Sequence, residues 1–172
     1  MFIKELLLEG GNVFPGTKPI AKSEAAGILT TLQLAMPPGI KLHKVGSAGH
    51  KDFSGDMDVM VDEKSIISMF KNEVRREQNA AQNKAKKVSP AQIARSCLKD
   101  YFMKRGFAAA QSGVNVHVKV PNGKNFAQVD IMLVDDADNM RVFHQHDYHS
   151  EFKGLHKQQL LSSIAKETKT KK

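Results

Sequence analysis

The chain has 172 residues and a mass of 19.0 kDa, with 41% hydrophobic and 26% charged residues, which can bury a core and suits one domain over 1–172. Its formal net charge is +8 and Cys97 is its one cysteine, which excludes an intrachain disulfide and a cysteine-based zinc ribbon. No apolar run reaches the roughly 20 residues that cross a bilayer, and the apolar start is too short, contains Glu5 and lacks a small-residue cleavage site, so the expected setting is a reducing cytoplasm, bacterial or phage-infected, with no membrane partner.

In chain order, Ile3, Leu6 and Leu7 suit one or two helical turns ending at Gly10-Gly11, and 12–22, with Pro15, Gly16 and Pro19, reads as a loop. Ser23 is an expected N-cap for a helix over 24–35 with Glu24 in its first turn, stopped by Pro37-Pro38-Gly39. Residues 40–45 read as a strand entering Gly46-Ser47. In the D-M-D-V-M-V run of 56–61, period two puts Asp56, Asp58 and Met60 on one face and Met57, Val59 and Val61 on the other. Asp62 can cap the next helix, whose stripe is Ile66, Ile67, Phe70 and Val74; the polar 76–88 either extends it or forms a loop.

Ser89-Pro90 with Gln92 combines an N-cap, a proline at the first helical position and a capping-box partner. Two rows at i+4 spacing follow, Ile93-Cys97-Tyr101 and Ala94-Leu98-Phe102, and Gly106 supplies a stop. Val114, Val116, Val118 and Val120 alternate with Asn115, His117 and Lys119. After the turn 121–125, a second strand over 126–134 turns Val129, Ile131 and Leu133 one way and Asp130 and Met132 the other. This predicts a β-hairpin with a turn longer than the commonest two-residue kind. A helix near 157–166 and a basic tail over 166–172 complete the chain. The expected fold class is α/β (α+β), with a mixed, mainly antiparallel central sheet flanked by helices.

Charge is unevenly placed. Residues 64–105 carry eleven Lys and Arg against three acids, and 153–172 carry six against one, while the two remaining stretches are net negative. Basic helices beside acidic strands suit a polyanionic partner that meets a site holding carboxylates; a solvated surface explains the charge equally well.

The chemistry concentrates in 46–61. Two carboxylates on one strand face lie about 6–7 Å apart along the backbone, from a rise of ~3.3 Å per residue. Such a pair suits hard divalent cations, and Mg²⁺ takes oxygen ligands together with substrate phosphates. Gly46 lets backbone approach a phosphate, and Ser47 offers a hydroxyl and an N–H.

With Gly46-Ser47, the Ser54-Gly55-Asp56-Met57-Asp58 segment and Asp130 on a later strand, the sequence resembles the nucleotidyltransferase superfamily of the DNA polymerase β type. The resemblance runs from about residue 40 to 134, and the opening MFIKELLLEGGNVF is similar to small phage-encoded members. It implies a nucleotidyltransferase fold with a catalytic core over about 23–150 and an active site of Asp56, Asp58 and Asp130 holding Mg²⁺ or Mn²⁺. Asp56 and Asp58 would bridge two ions, and Asp130 would bind only the ion at the attacking hydroxyl, which it orients or deprotonates. Gly46, Ser47 and the loop lysine Lys51 would bind the triphosphate. The implied activity is two-metal transfer of a nucleoside monophosphate from a nucleoside triphosphate such as ATP to a hydroxyl, with release of pyrophosphate. The ten-residue step from Gly46 to Asp56, with His50 and Lys51 in its loop, is a departure in detail.

An RNA or DNA end is the leading acceptor, met through Arg75, Arg76, Lys84, Lys86, Lys87, Arg95, Lys99, Lys104 and Arg105; without Trp and with two Tyr, backbone contact is favoured over base reading. Proteins and small molecules stay open as acceptors, as does a catalytically idle binding or antitoxin-type protein on the same fold. The cluster His144, His146, His149 and His156 with Asp147 has zinc-compatible spacing, but without a cysteine partner it reads first as a polar surface or a substrate-contacting strand. Asp135, Asp136 and Asp138 read as a solvated turn. Little chain follows Val134, so both a minimal enzyme and a piece lacking an acceptor domain remain open.

Overall fold

Period-two alternation builds the centre of the molecule. In the computed structural model, which describes residues 13–84, 86–138, 140 and 164, five strands form one sheet in the order β2-β4-β7-β6-β5. These are β2 (His43–Val45), β4 (Met57–Asp62), β5 (Ala108–Ser112), β6 (Asn115–Asn122) and β7 (Asn125–Val134). Only β4 and β7 run parallel; the other pairs are antiparallel. A two-stranded ribbon, β1 (Ile20–Ala21) with β3 (Phe53–Ser54), stands apart. The fold is thus mixed α/β with a mainly antiparallel sheet, as expected.

One sheet face is apolar and carries the helices. Met57, Val59, Val61, Val116, Val118, Val120, Val129 and Ile131 are fully buried there. Against them pack α1 (Ala25–Ala35), α2 (Glu63–Met69) and α4 (Pro90–Lys104), and α3 (Lys71–Asn83) lies on α4. Ala94, Leu98 and Phe102 form the buried row of α4, with Ile93 beside them, while Cys97 and Tyr101 are half-buried. The Ser89 hydroxyl accepts the Gln92 N–H and Asp62 accepts that of Ser65, so both expected caps form. Among the described residues no helix is long and apolar enough to cross a membrane.

Several local expectations need correction. Ser23 does not cap α1: the helix starts after Glu24, whose carboxylate instead accepts the Ala21 N–H at 2.9 Å and closes a turn. The loop of 12–22 contains β1, and the stripe from Ile66 to Val74 is split at Phe70 into α2 and α3. Asn122 pairs with Asn125, leaving Gly123 (φ +59°) and Lys124 as a two-residue turn, shorter than expected. Pro121 is tolerated in β6 because β5 has already ended beside it. Val114 lies in the β5–β6 turn, exposed, so the buried alternation begins at Val116. Strand β5, with its Ala-Ala-Ala-Gln-Ser sequence, has little intrinsic strand preference and is held by β6 and α4. The early apolar segment, the histidine cluster, the helix near 157–166 and the basic tail lie outside the described residues, Ile164 apart.

The expected strand over 40–45 shortens to three residues because a side chain takes the partner's place. Gln33 Nε2 donates to the Ile40 carbonyl at 2.8 Å, and the Leu42 N–H donates to Gln33 Oε1 at 2.9 Å. Gln33→Ala removes both bonds and leaves backbone groups half-buried, so a loss of about 1–3 kcal/mol is expected in urea unfolding. A loss under about 0.5 kcal/mol would show that water replaces the amide.

Candidate active site

Register brings the acids together. Val45 pairs with Asp58, Asp58 with Asp130, Asp130 with His117 and His117 with Ala110, so one row of residues crosses all five strands on the face opposite α1, α2 and α4. Parallel pairing of β4 with β7 is what sets Asp58 and Asp130 side by side. Asp56, one residue before β4, is within electrostatic reach of both. In the next row along the face His43 pairs with Met60, Met60 with Met132 and Met132 with Asn115; Met60 is buried with Val45 and Ala137, and Met132 packs against them.

The acids are held differently. Asp130 is buried, and its Oδ1 accepts from His117 Nδ1 at 2.7 Å and from Gln128 Nε2 at 2.9 Å. No described residue donates a hydrogen bond to the side chain of Asp58. Burial first, then the charges of Asp56 and Asp130, push the Asp58 carboxyl up to about 6. Asp56 is also raised, by burial and then by Asp130, against the pull of its own backbone N–H and of His117. As the side chains stand, no three His, Cys, Asp or Glu among the described residues converge into a ready metal cage.

Gly46 has a positive φ of +72°, and a Cβ placed there would lie 2.7 Å from Asp58 Oδ2. Glycine is required by both the backbone and this close approach. The Ser47 carbonyl accepts the N–H groups of His50 and Lys51, and its hydroxyl lies 3.3 Å from that of buried Ser54. The loop therefore turns at Ser47 and sets Gly46 against Asp58. Lys51 is exposed on this loop. The lysine tied into it is Lys44, whose Nζ donates to the Ala48 carbonyl at 2.7 Å and whose pKa is lowered by burial.

The structure thus gathers Asp56, Asp58, Asp130 and Gly46, with Ser47 next along the loop. Sequence reasoning missed His117, Gln128 and Lys119 on the same face. Lys119 pairs with Gln128, and its Nζ donates to the Pro15 carbonyl and sits over the Phe126 ring. Asp135, Asp136 and Asp138 are exposed after β7, with Asp138 3.6 Å from His43. The charged residues of α3 and α4 belong to the helical layer. Between these helices runs a groove of about 850 Å³ whose walls mix Arg76, Lys84 and Lys104 with Glu73, Glu77 and Asp100.

No protein-family model matches the chain, and no curated protein matches it. Among solved structures, the chain is similar to a cytoplasmic RNA terminal U-transferase, with a TM-score of 0.40 and 17% identity over 73% of this chain and 33% of that one. It spans about a third of the length of that protein. At this level of likeness no residue role passes from one chain to the other.

Proposed function

We propose that the chain transfers a nucleoside monophosphate from a nucleoside triphosphate to a hydroxyl acceptor, with an RNA or DNA end as the leading candidate. The observation that carries this reading is the pairing of Asp58 with Asp130 on adjacent parallel strands, with Asp56 in reach and Gly46 packed on Asp58. That is the arrangement implied by the sequence resemblance to polymerase β-type nucleotidyltransferases.

The donor set fits a hard divalent cation. Three carboxylates within electrostatic reach of one another offer oxygen ligands of the kind Mg²⁺ and Mn²⁺ prefer. Asp56, Asp58 and Asp130 would hold it, and the bound ion would supply charge neutralisation on the triphosphate and on the leaving pyrophosphate. The chain's own residues do the rest. Gly46 keeps the loop close to the carboxylates, and Ser47 and Lys51 supply donors to the triphosphate oxygens. The acceptor oxygen bonds to the α-phosphorus as the α–β bridging P–O bond breaks, and pyrophosphate leaves with the electron pair. Asp130 takes the acceptor's proton through Oδ2, since Oδ1 is already engaged by two donors. The basic residues of α3 and α4 sit on the helical layer, where they would meet acceptor phosphates away from the reacting end.

The test is label transfer from each α-labelled nucleoside triphosphate, with Mg²⁺ or Mn²⁺ and with RNA, DNA or protein extract as acceptor. Label in one acceptor class, lost in Asp130→Ala, is the expected result. Transfer retained by Asp130→Ala would remove Asp130 from the chemistry. No transfer with any donor would favour an idle binding protein on this fold.

A further inference from the structure

We propose that His117 and Gln128 are positioning residues that clamp Asp130 by one oxygen, and that this clamp sets the affinity of the carboxylate cluster for a divalent cation. The inference rests on the reading of that cluster as a metal site.

Each clamping donor is itself fixed from behind. Gln128 Oε1 accepts the Val13 N–H at 2.8 Å, which turns the amide so that Nε2 faces Asp130. A carboxylate oxygen can only accept, so His117 Nδ1 carries the hydrogen in the 2.7 Å contact. On the other side of the ring, His117 Nε2 lies 2.8 Å from the hydroxyl of Ser112, which is exposed on the edge strand. A chain of contacts thus runs from β5 through β6 to β7, met from the far side by the loop at Val13. His117, Gln128 and Asp130 are 5%, 1% and 7% exposed, so water competes little for these bonds.

A buried carboxylate needs donors merely to be tolerated, and that plain structural reading accounts for one or two hydrogen bonds. It does not account for their placement. Both donors converge on Oδ1, whereas donors serving only to solvate a carboxylate would be shared between its oxygens. Oδ2 is left without a hydrogen-bond partner among the described residues, on the side chain that stands in register with Asp58. Orienting a ligand by hydrogen bonds from behind is the usual work of the residues next to metal ligands, and losing one typically weakens metal affinity by about 10–100-fold.

The experiment is an electron paramagnetic resonance titration of the whole chain with Mn²⁺ alone. It compares wild type, Asp130→Ala, His117→Leu, His117→Asn and the His117→Leu/Asp130→Ala double variant, with circular dichroism as the check on folding. His117→Leu keeps bulk and removes the donor, so about tenfold weaker binding is expected. His117→Asn places an amide N–H near the position of Nδ1 and should bind within about threefold of wild type. In the Asp130→Ala background, His117→Leu should change nothing further, because the residue it positions is gone. Folded His117→Leu that binds within twofold of wild type overturns the clamp, as does an equal loss with and without Asp130. Should His117→Leu fail to fold, Ser112→Ala releases the ring from its exposed side and should weaken binding severalfold; wild-type affinity in folded Ser112→Ala then overturns the clamp. If Asp130→Ala itself leaves Mn²⁺ binding unchanged, the metal-site reading falls and the clamp with it.

Discussion

Asp58→Asn is expected to bring nucleotidyl transfer down to background while making the metal-free protein more stable at pH 7. The first effect follows from removing the charge of the one carboxylate in register with Asp130 and packed on Gly46. The second follows from the raised carboxyl of Asp58, about 6 in the folded chain against an ordinary value near 3.8. Below about pH 3 both folded and unfolded chains hold the proton, and Asp58 carries no ionisation penalty. Between pH 4 and 6 the unfolded chain releases its proton first, so wild-type stability falls as pH rises. Above pH 6 the full penalty is present, at most about 3 kcal/mol from the size of the shift and less where solvent screens a half-buried group. Asparagine has no such penalty. Thermal unfolding at pH 3, 6 and 8 should therefore show a gain for Asp58→Asn at pH 8 that vanishes at pH 3. A variant less stable at pH 8 would mean that the carboxylate is better solvated than the structure makes it.

Gly46→Ala is expected to lower transfer by about 100-fold, the size of effect that a misplacement of roughly 1 Å near reacting groups can produce. The added methyl would meet Asp58 Oδ2 at 2.7 Å, so the carboxylate or the loop must move. A residue with a side chain at a φ of +72° also costs about 1–2 kcal/mol of backbone strain. Gly39→Ala separates these contributions. Its φ is +81°, but nothing lies within 4 Å of an added Cβ, so it should lose similar stability and keep its transfer rate. Equal activity in the two variants would show that the approach of Gly46 to Asp58 has no catalytic consequence.

Much of this site is legible in the amino-acid sequence. Alternation alone assigns Asp58 and Asp130 to a face opposite Val59 and Ile131, since successive strand side chains point to opposite sides. The two strongest helix starts, at Asp62 and Ser89, are also local: each needs only a short polar side chain and a backbone N–H three residues on. His117 is within reach of the same reasoning but depends on the turn. With two turn residues rather than more, the hairpin register places His117 opposite Asp130; a longer turn shifts the pairing and hides it. Gln128 is marked only by its parity with Asp130.

The sequence by itself determined the element types over most of the chain, the apolar face of the sheet and the placing of Asp58 and Asp130 on its other face, because capping and periodicity act over a few residues. Tertiary structure alone decided that β4 lies parallel to β7, since three helices and two strands intervene and no local pattern records which strands become neighbours. It also decided that Gln33 replaces a strand, that an alanine-rich segment becomes β5, and that the loop containing Val13 reaches Gln128. Each of these depends on which unpaired backbone or side-chain group finds a partner far along the chain, and burial away from water makes such a partner obligatory.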